Sequence, residues 1–229
     1  MRSLLLILVI VIIIVGAAIY RFWPRAEISM PEKNLANKKI VIVIAFRDFR
    51  DEEYFVPREI LTEAGAEIKT ASNKTGKAIG TDGGEVDVDL SVSEVNPAEF
   101  ADLQGKSSHD SIQSISSFDA VVFIGGPGCL DNLDNENSYN LAKEAISENK
   151  ALAAICVSPV ILAKAGVLKG KNATVWSSPL DKSAINILKE NGANYQAESV
   201  VVDGKIITAN GPSAAEEFAQ KIIEILSKK

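Results

Sequence analysis

Cysteine and histidine are nearly missing from this chain, which carries Cys129, Cys156 and His109 and no others of either type. Two thiols cannot build a disulfide scaffold or a four-thiolate zinc site. A single imidazole excludes any site that needs two histidines from one chain. No metal and no cofactor is expected. Basic residues are short as well: Lys and Arg number 24 against 30 Asp and Glu, a net charge of −6. Such a chain has no cationic surplus to neutralise phosphates, which argues against nucleic-acid partners. With 47% hydrophobic and 24% charged residues over 229 positions, the composition is that of a folded chain. It holds enough apolar material for one full core and an appendage.

Charge is absent altogether from residues 3–20, and residues 4–15 are almost pure Leu, Ile and Val. As a helix this stretch would span roughly 27 Å at ~1.5 Å per residue, close to the hydrocarbon thickness of a bilayer. Arg2 precedes it, and Arg21, Trp23 and Arg25 follow as interfacial anchors. The chain therefore divides into a single-pass transmembrane anchor (1–22), a linker containing Pro24 and Pro31 (23–38) and a folded domain (39–229). A cleavable signal peptide is the rival reading, because Gly16 and Ala18 offer small residues at a cleavage site. The length of the apolar run favours a retained anchor. Basic residues on the C-terminal flank (Arg21, Arg25, Lys33, Lys38, Lys39) outnumber Arg2 and favour a domain on the cytoplasmic side. An export signal led by Arg2 would place it outside instead.

The folded part alternates strand and helix patterns. The apolar run KIVIVIAF from Lys39 is of strand length and reads as a strand covered on both faces. A helical pattern over 53–64 stops at Gly65, and a short strand follows at 67–71. Residues 72–117 read as a polar excursion with weak strand content at 86–90. Further strands are expected at 119–124, 151–155 and 173–176, and helices at 138–149, from Ser158 to about Gly166, and at 181–190. Residues 200–208 read as a hairpin with an Asp203-Gly204 turn. A last helix starts at Ser213, with Glu216 completing a capping box. This order predicts an α/β three-layer sandwich, a mainly parallel sheet between helices, with its site at the strand C-termini.

At that edge the stretch Ala154-Ile155-Cys156-Val157-Ser158 has the form of a nucleophile elbow: a strand ends, a thiol follows, and Pro159 opens a helix. A thiol there would face the positive end of the new helix, which favours thiolate. The bland alternative is that Cys156 is a small buried hydrophobe. Gly125-Gly126 ends the neighbouring strand and can present backbone N–H groups to an oxyanion, or can be a plain turn. The run from Phe46 to Glu53 is rich in carboxylates at a helix start; one of them could face the thiol, or all could serve as caps. Cys129, just past the glycine loop, reads as a spectator or as a resolving thiol.

The segments AFRDFRDEEYFVPREILTEAGAEIKTAS, FDAVVFIGGPG, ALAAICVSPVILAKAGVLKGK and ITANGPSAAEEFAQKIIEIL, in this order, resemble the DJ-1/PfpI (ThiJ/PfpI) family of the glutamine amidotransferase-like superfamily. The resemblance implies a flavodoxin-like sandwich that forms a homodimer or higher homo-oligomer. It places the family's elbow cysteine on Cys156 and its thiol-facing glutamate on Glu53, four residues before Pro57. The backbone oxyanion donors fall on Gly126 and Val157. Three departures stand out: Val157 where hydrolase members have His, Ser158 where the family has Gly, and Asn210 where it has Arg. A Cys–His dyad would have to recruit His109, so cysteine-peptidase chemistry is disfavoured. The expectation is a cysteine-dependent hydrolase or lyase for small reactive carbonyl compounds, glyoxalase- or deglycase-like. The alternatives are a redox or stress module whose cysteine is oxidised, and a scaffold with a decayed site.

Overall fold

The computed structural model describes residues 35–95 and 114–228. The apolar stretch 3–20, most of the linker and His109 lie outside the described residues. Among the described residues no helix is long and apolar enough to cross a membrane.

Seven strands form the central sheet: β1 (Lys39–Val43), β3 (Glu67–Ser72), β6 (Leu90–Ser91), β7 (Ala120–Phe123), β8 (Ala151–Ile155), β11 (Val200–Asp203) and β12 (Ile206–Ala209). Their order is β11-β12-β8-β7-β1-β3-β6, and every pairing is parallel except the β11–β12 hairpin. The helices are α1 (Asp51–Glu63), α2 (Val92–Val95), α3 (Cys129–Leu133), α4 (Glu136–Ser147), α5 (Pro159–Lys164), α6 (Ser183–Glu190) and α7 (Ala215–Leu226). Strand alternation sorts the core into two layers. Val41, Val43, Val121, Phe123, Leu152 and Ala154 face α4, α5 and α6, whereas Ile40, Ile42, Val122 and Ile155 face α1 and α7. Each central strand is apolar on both faces because both faces are covered, which is why the pattern reads as continuous rather than alternating.

Several local expectations are revised. The excursion after β3 supplies β4 (Gly76–Gly80) and β5 (Glu85–Val88), which join β2 (Arg47–Phe49), just after β1, in a second sheet of order β2-β4-β5. Phe49, Ala78 and Val86 from this sheet pack in the same layer as α1 and α7. The strand expected at 173–176 is only β9 (Asn172–Ala173), paired with β10 (Asn194–Tyr195). The Ser213/Glu216 capping box does not form: a 3₁₀ turn (Pro212–Ala214) precedes α7, whose N-cap is Ala214 with no side-chain cap bond. Pro212 favours such a tight entry turn over an extended serine N-cap.

The first carboxylate of α1 ties the small sheet to that helix. Asp51 is 8% exposed. It accepts from the backbone N–H of Asp82 at 2.8 Å and of Gly84 at 2.7 Å. Gly80 and Gly84 approach so closely that a Cβ on either would stand 2.3 Å from this carboxylate. Asp51→Ala would strand both donors and is expected to lower the unfolding free energy by about 2 kcal/mol, measured by urea titration. An unchanged midpoint would mean that water replaces the carboxylate.

Candidate active site

Strand β8 is followed at once by Cys156, whose φ of +65° is a left-handed conformation unusual for a residue with a side chain. The surroundings over-determine this strained elbow. The Cys156 N–H donates to Ala209 O at 2.9 Å, and Trp176 N–H donates to Cys156 O at 2.8 Å. Ser158, fully buried, accepts from Ile155 N–H at 3.0 Å. Its hydroxyl has Phe123 O at 2.9 Å and Ile155 O at 2.7 Å as acceptors. The serine that departs from the family pattern thus stitches the elbow to β7.

Glu53, in the first turn of α1, has no solvent exposure; its carboxyl lies beside the Cys156 thiol, and its Oε1 is buried with no hydrogen-bond partner. The other carboxylates of that run point elsewhere: Asp51 binds the small sheet and Glu52 is exposed. Gly125 N–H donates to Glu53 Oε2 at 3.1 Å. A Cβ on Gly125 would lie 2.4 Å from Cys156 Cβ and 2.9 Å from Glu53 Oε2, so only glycine lets these three elements converge. Gly126 (φ +112°) meets α1 as closely: its Cβ would stand 2.4 Å from Arg50 N. Gly125, Gly126 and Val157 were all expected to serve an oxyanion. Gly125 N–H is instead committed to the carboxylate, while the Gly126 and Val157 amides lie by the Cys156 sulfur and act to lower its pKa.

Electrostatics reverse one expectation. Burial pushes the Cys156 thiol up to about 12, and the Glu53 charge adds to the rise; the Gly126 and Val157 amides offset only part of it. Burial also raises Glu53 to about 7, against the opposing influence of the Cys156 thiol, the Gly125 amide and the charge of Arg50. Near neutrality the thiol therefore keeps its proton, while Glu53 is divided between acid and carboxylate, and the carboxylate form is poised to remove the proton from sulfur. The helix after the elbow, α5, has only six residues, and its field does not overcome desolvation of the thiol.

A cavity of about 390 Å³ opens over Cys156. Pro127, Leu130, Val157 and Trp176 form its apolar wall, and Arg50 and Asp131 supply its charges. Arg50, Trp176, Leu130 and Asp131 were not singled out from sequence. The available signal was spacing: Arg50 stands three residues before Glu53, which places both on one side of the first turn. A larger cavity, about 500 Å³, lies at the opposite sheet edge beside Lys38, Asp119, Lys150 and Lys205, and no thiol lines it among the described residues. Cys129 is fully buried in the other core layer, and burial first, then the neighbouring Cys156 and Glu53, raise its thiol. Both cysteines are free, and among the described residues no cluster suits a metal ion.

A flavodoxin-like sheet with a strained elbow cysteine, a buried glutamate and a glycine loop defines a class of proteins. The DJ-1/PfpI family model matches residues 38–104 and 106–225, and the chain belongs to that family. A deglycase of Pyrococcus abyssi is 32% identical over 186 residues, covering 81% of this chain and 98% of its own. A glutathione-independent glyoxalase of Caenorhabditis elegans is 25% identical over 191 residues, covering 83% and 90%. Among solved structures, a ThiJ/PfpI domain protein from Brachyspira murdochii superposes with a TM-score of 0.70 at 33% identity, covering 83% of this chain and 96% of that one.

The buried carboxyl has a consequence for stability. Glu53 loses its proton near 4.5 in the unfolded chain and near 7 in the folded one. Between those values the folded state binds more protons, so stability falls as pH rises through the window and levels off above it. Glu53→Gln, which cannot ionise, is expected to gain about 3 kcal/mol on the wild type between pH 4 and pH 8, read from unfolding free energies at both pH values. Parallel profiles would mean an ordinary carboxyl.

Proposed function

We propose that this protein is a cysteine-dependent enzyme for small reactive carbonyl compounds, with glyoxalase- or deglycase-type chemistry that needs no cofactor. The observation that carries the reading is the buried Glu53 carboxyl, raised to about 7 and set beside the Cys156 thiol, which lines a cavity. A base with that pKa is matched to work near neutrality. Glu53 takes the S–H proton as sulfur attacks the aldehyde carbon of a 2-oxoaldehyde. The carbonyl electron pair moves to oxygen within reach of the Gly126 and Val157 amides. Glu53 returns the proton to that oxygen, giving a hemithioacetal, and then moves the C1 proton to C2 while the new hydroxyl's proton passes to the ketone oxygen. The aldehyde carbon is oxidised and the adjacent ketone reduced, so no external redox partner is required. Water releases the resulting thioester as a 2-hydroxy acid and restores the thiol.

The relatives named deglycase and glyoxalase support this choice of chemistry. Peptide hydrolysis is a poorer fit, because Val157 has no proton for a leaving amine. A peroxide sensor is also a poorer fit: it calls for an accessible thiolate, and Cys156 is 7% exposed with its pKa raised. The proposal includes a membrane anchor at residues 3–20, supported by composition alone, and a homodimer or higher homo-oligomer, supported by the family resemblance. The side of the membrane proposed is the cytoplasmic one.

Methylglyoxal consumption by the full chain tests the chemistry. kcat/KM is expected to rise with pH through an apparent pKa near 7. Cys156→Ala should abolish turnover, and Glu53→Gln should reduce it by at least about 10²-fold and flatten the pH profile. Turnover that survives Cys156→Ala would overturn the reading.

A further inference from the structure

Among the described residues Arg50 is the one cation on the cavity wall, and its side chain is not fully engaged. Its Nε is buried with no hydrogen-bond partner. Its NH1 stands 3.8 Å from Asp82 Oδ2, on a carboxylate that is 67% exposed. Glu53 feels the guanidinium charge, but its Oε2 takes the Gly125 amide and its Oε1 has no hydrogen-bond partner, and the pocket's other charge, Asp131, is exposed to solvent. Leaving a buried donor of a charged group unpaired is unfavourable, and a planar carboxylate can satisfy the guanidinium edge with two parallel bonds. Position supports the same reading. Arg50 caps the helix that carries Glu53, and its amide donates to Gly125 O at 3.1 Å, so the cation is fixed to the elements that hold the nucleophile and base. The facing wall of Pro127, Leu130, Val157 and Trp176 is apolar and suits a short hydrocarbon spacer.

We infer that Arg50 selects carbonyl substrates that carry a carboxylate a few carbons from the reacting aldehyde, in preference to neutral ones such as methylglyoxal. This rests on the carbonyl-enzyme reading above and names the substrate class of the same site. A substrate of this kind is 4,5-dioxopentanoate. The sequence of proton shifts given above would convert its aldehyde and ketone to a 2-hydroxy diacid, with the remote carboxylate unchanged.

Charge and shape are separated by comparing each acid with its methyl ester. In the full chain, kcat/KM for 4,5-dioxopentanoate is expected to exceed that for its methyl ester by about tenfold to a hundredfold, the range for a charge-assisted hydrogen bond. Arg50→Gln should bring the ratio close to one, and Arg50→Lys, which keeps the charge but not the fork, should fall between. A binding readout keeps the test independent of turnover. 4-Oxopentanoate lacks the aldehyde, and it should protect Cys156 from iodoacetamide at concentrations at least about tenfold lower than its methyl ester does, with the difference lost in Arg50→Gln. Equal protection by acid and ester in the wild type, or a preference that survives Arg50→Gln, would overturn the inference whatever the enzyme turns over. If every aldehyde is inert while the acid still protects through Arg50, the catalytic reading fails and the anion site stands.

Discussion

One proton shared between two buried groups governs this site. The Cys156 sulfur and the Glu53 carboxyl are both withdrawn from water, and neither can carry charge cheaply. Ionising the sulfur beside a charged carboxylate would put two anions in contact, so the thiol keeps its proton and the carboxylate is the site's base. This differs from a thiolate held ready by helix dipoles. A neutral resting thiol is protected from adventitious oxidation and becomes a nucleophile only when a partner draws its proton away. Substrate addition supplies that occasion, because the new oxyanion meets the Gly126 and Val157 amides that otherwise touch sulfur.

The rest of the domain holds that pair together. Three chain segments meet at the elbow: β8 into α5, β7 into the glycine loop, and β2 into α1. They come closer than side chains would allow, so the contacts fall at glycine. A Cβ on Gly125, Gly126 or Gly128 would stand 2.0 to 2.4 Å from an atom of a neighbouring segment. Buried Ser158 and the backbone of Ala209 and Trp176 fix the left-handed turn at Cys156. Asp51, two residues before Glu53, anchors the start of α1 to the small sheet and so sets where the glutamate points. The catalytic proposal and the stability of the fold thus depend on the same closely packed junction.

The periodic parts of this architecture were legible in the sequence. The apolar runs of β1, β7 and β8 and the alternation with helices dictate a covered parallel sheet, and the motif order around Cys156 and Gly125-Gly126 places the elbow at its C-terminal edge. Glu53 was reached through the family pattern, with Pro57 as marker; composition alone did not separate it from Asp51 and Glu52. What could not be read are quantities set by tertiary burial. The small sheet is built from strands as short as Arg47–Phe49, whose two exposed residues give no hydrophobic period. The direction of the Cys156 shift follows from desolvation, which a sequence does not display. Arg50 looked like one charge among several in a helix-capping run, and only the fold reveals that it borders the cavity.

The central claim is that the pair holds its proton on sulfur at neutral pH. It is tested most directly by the pH dependence of Cys156 alkylation with iodoacetamide, located by peptide mass, in the wild type and in Glu53→Gln. The account predicts slow wild-type labelling at pH 7 that still climbs above pH 9, and a profile displaced to lower pH once the neighbouring negative charge is gone. A wild-type rate already at its plateau below pH 7, unmoved by Glu53→Gln, would contradict it.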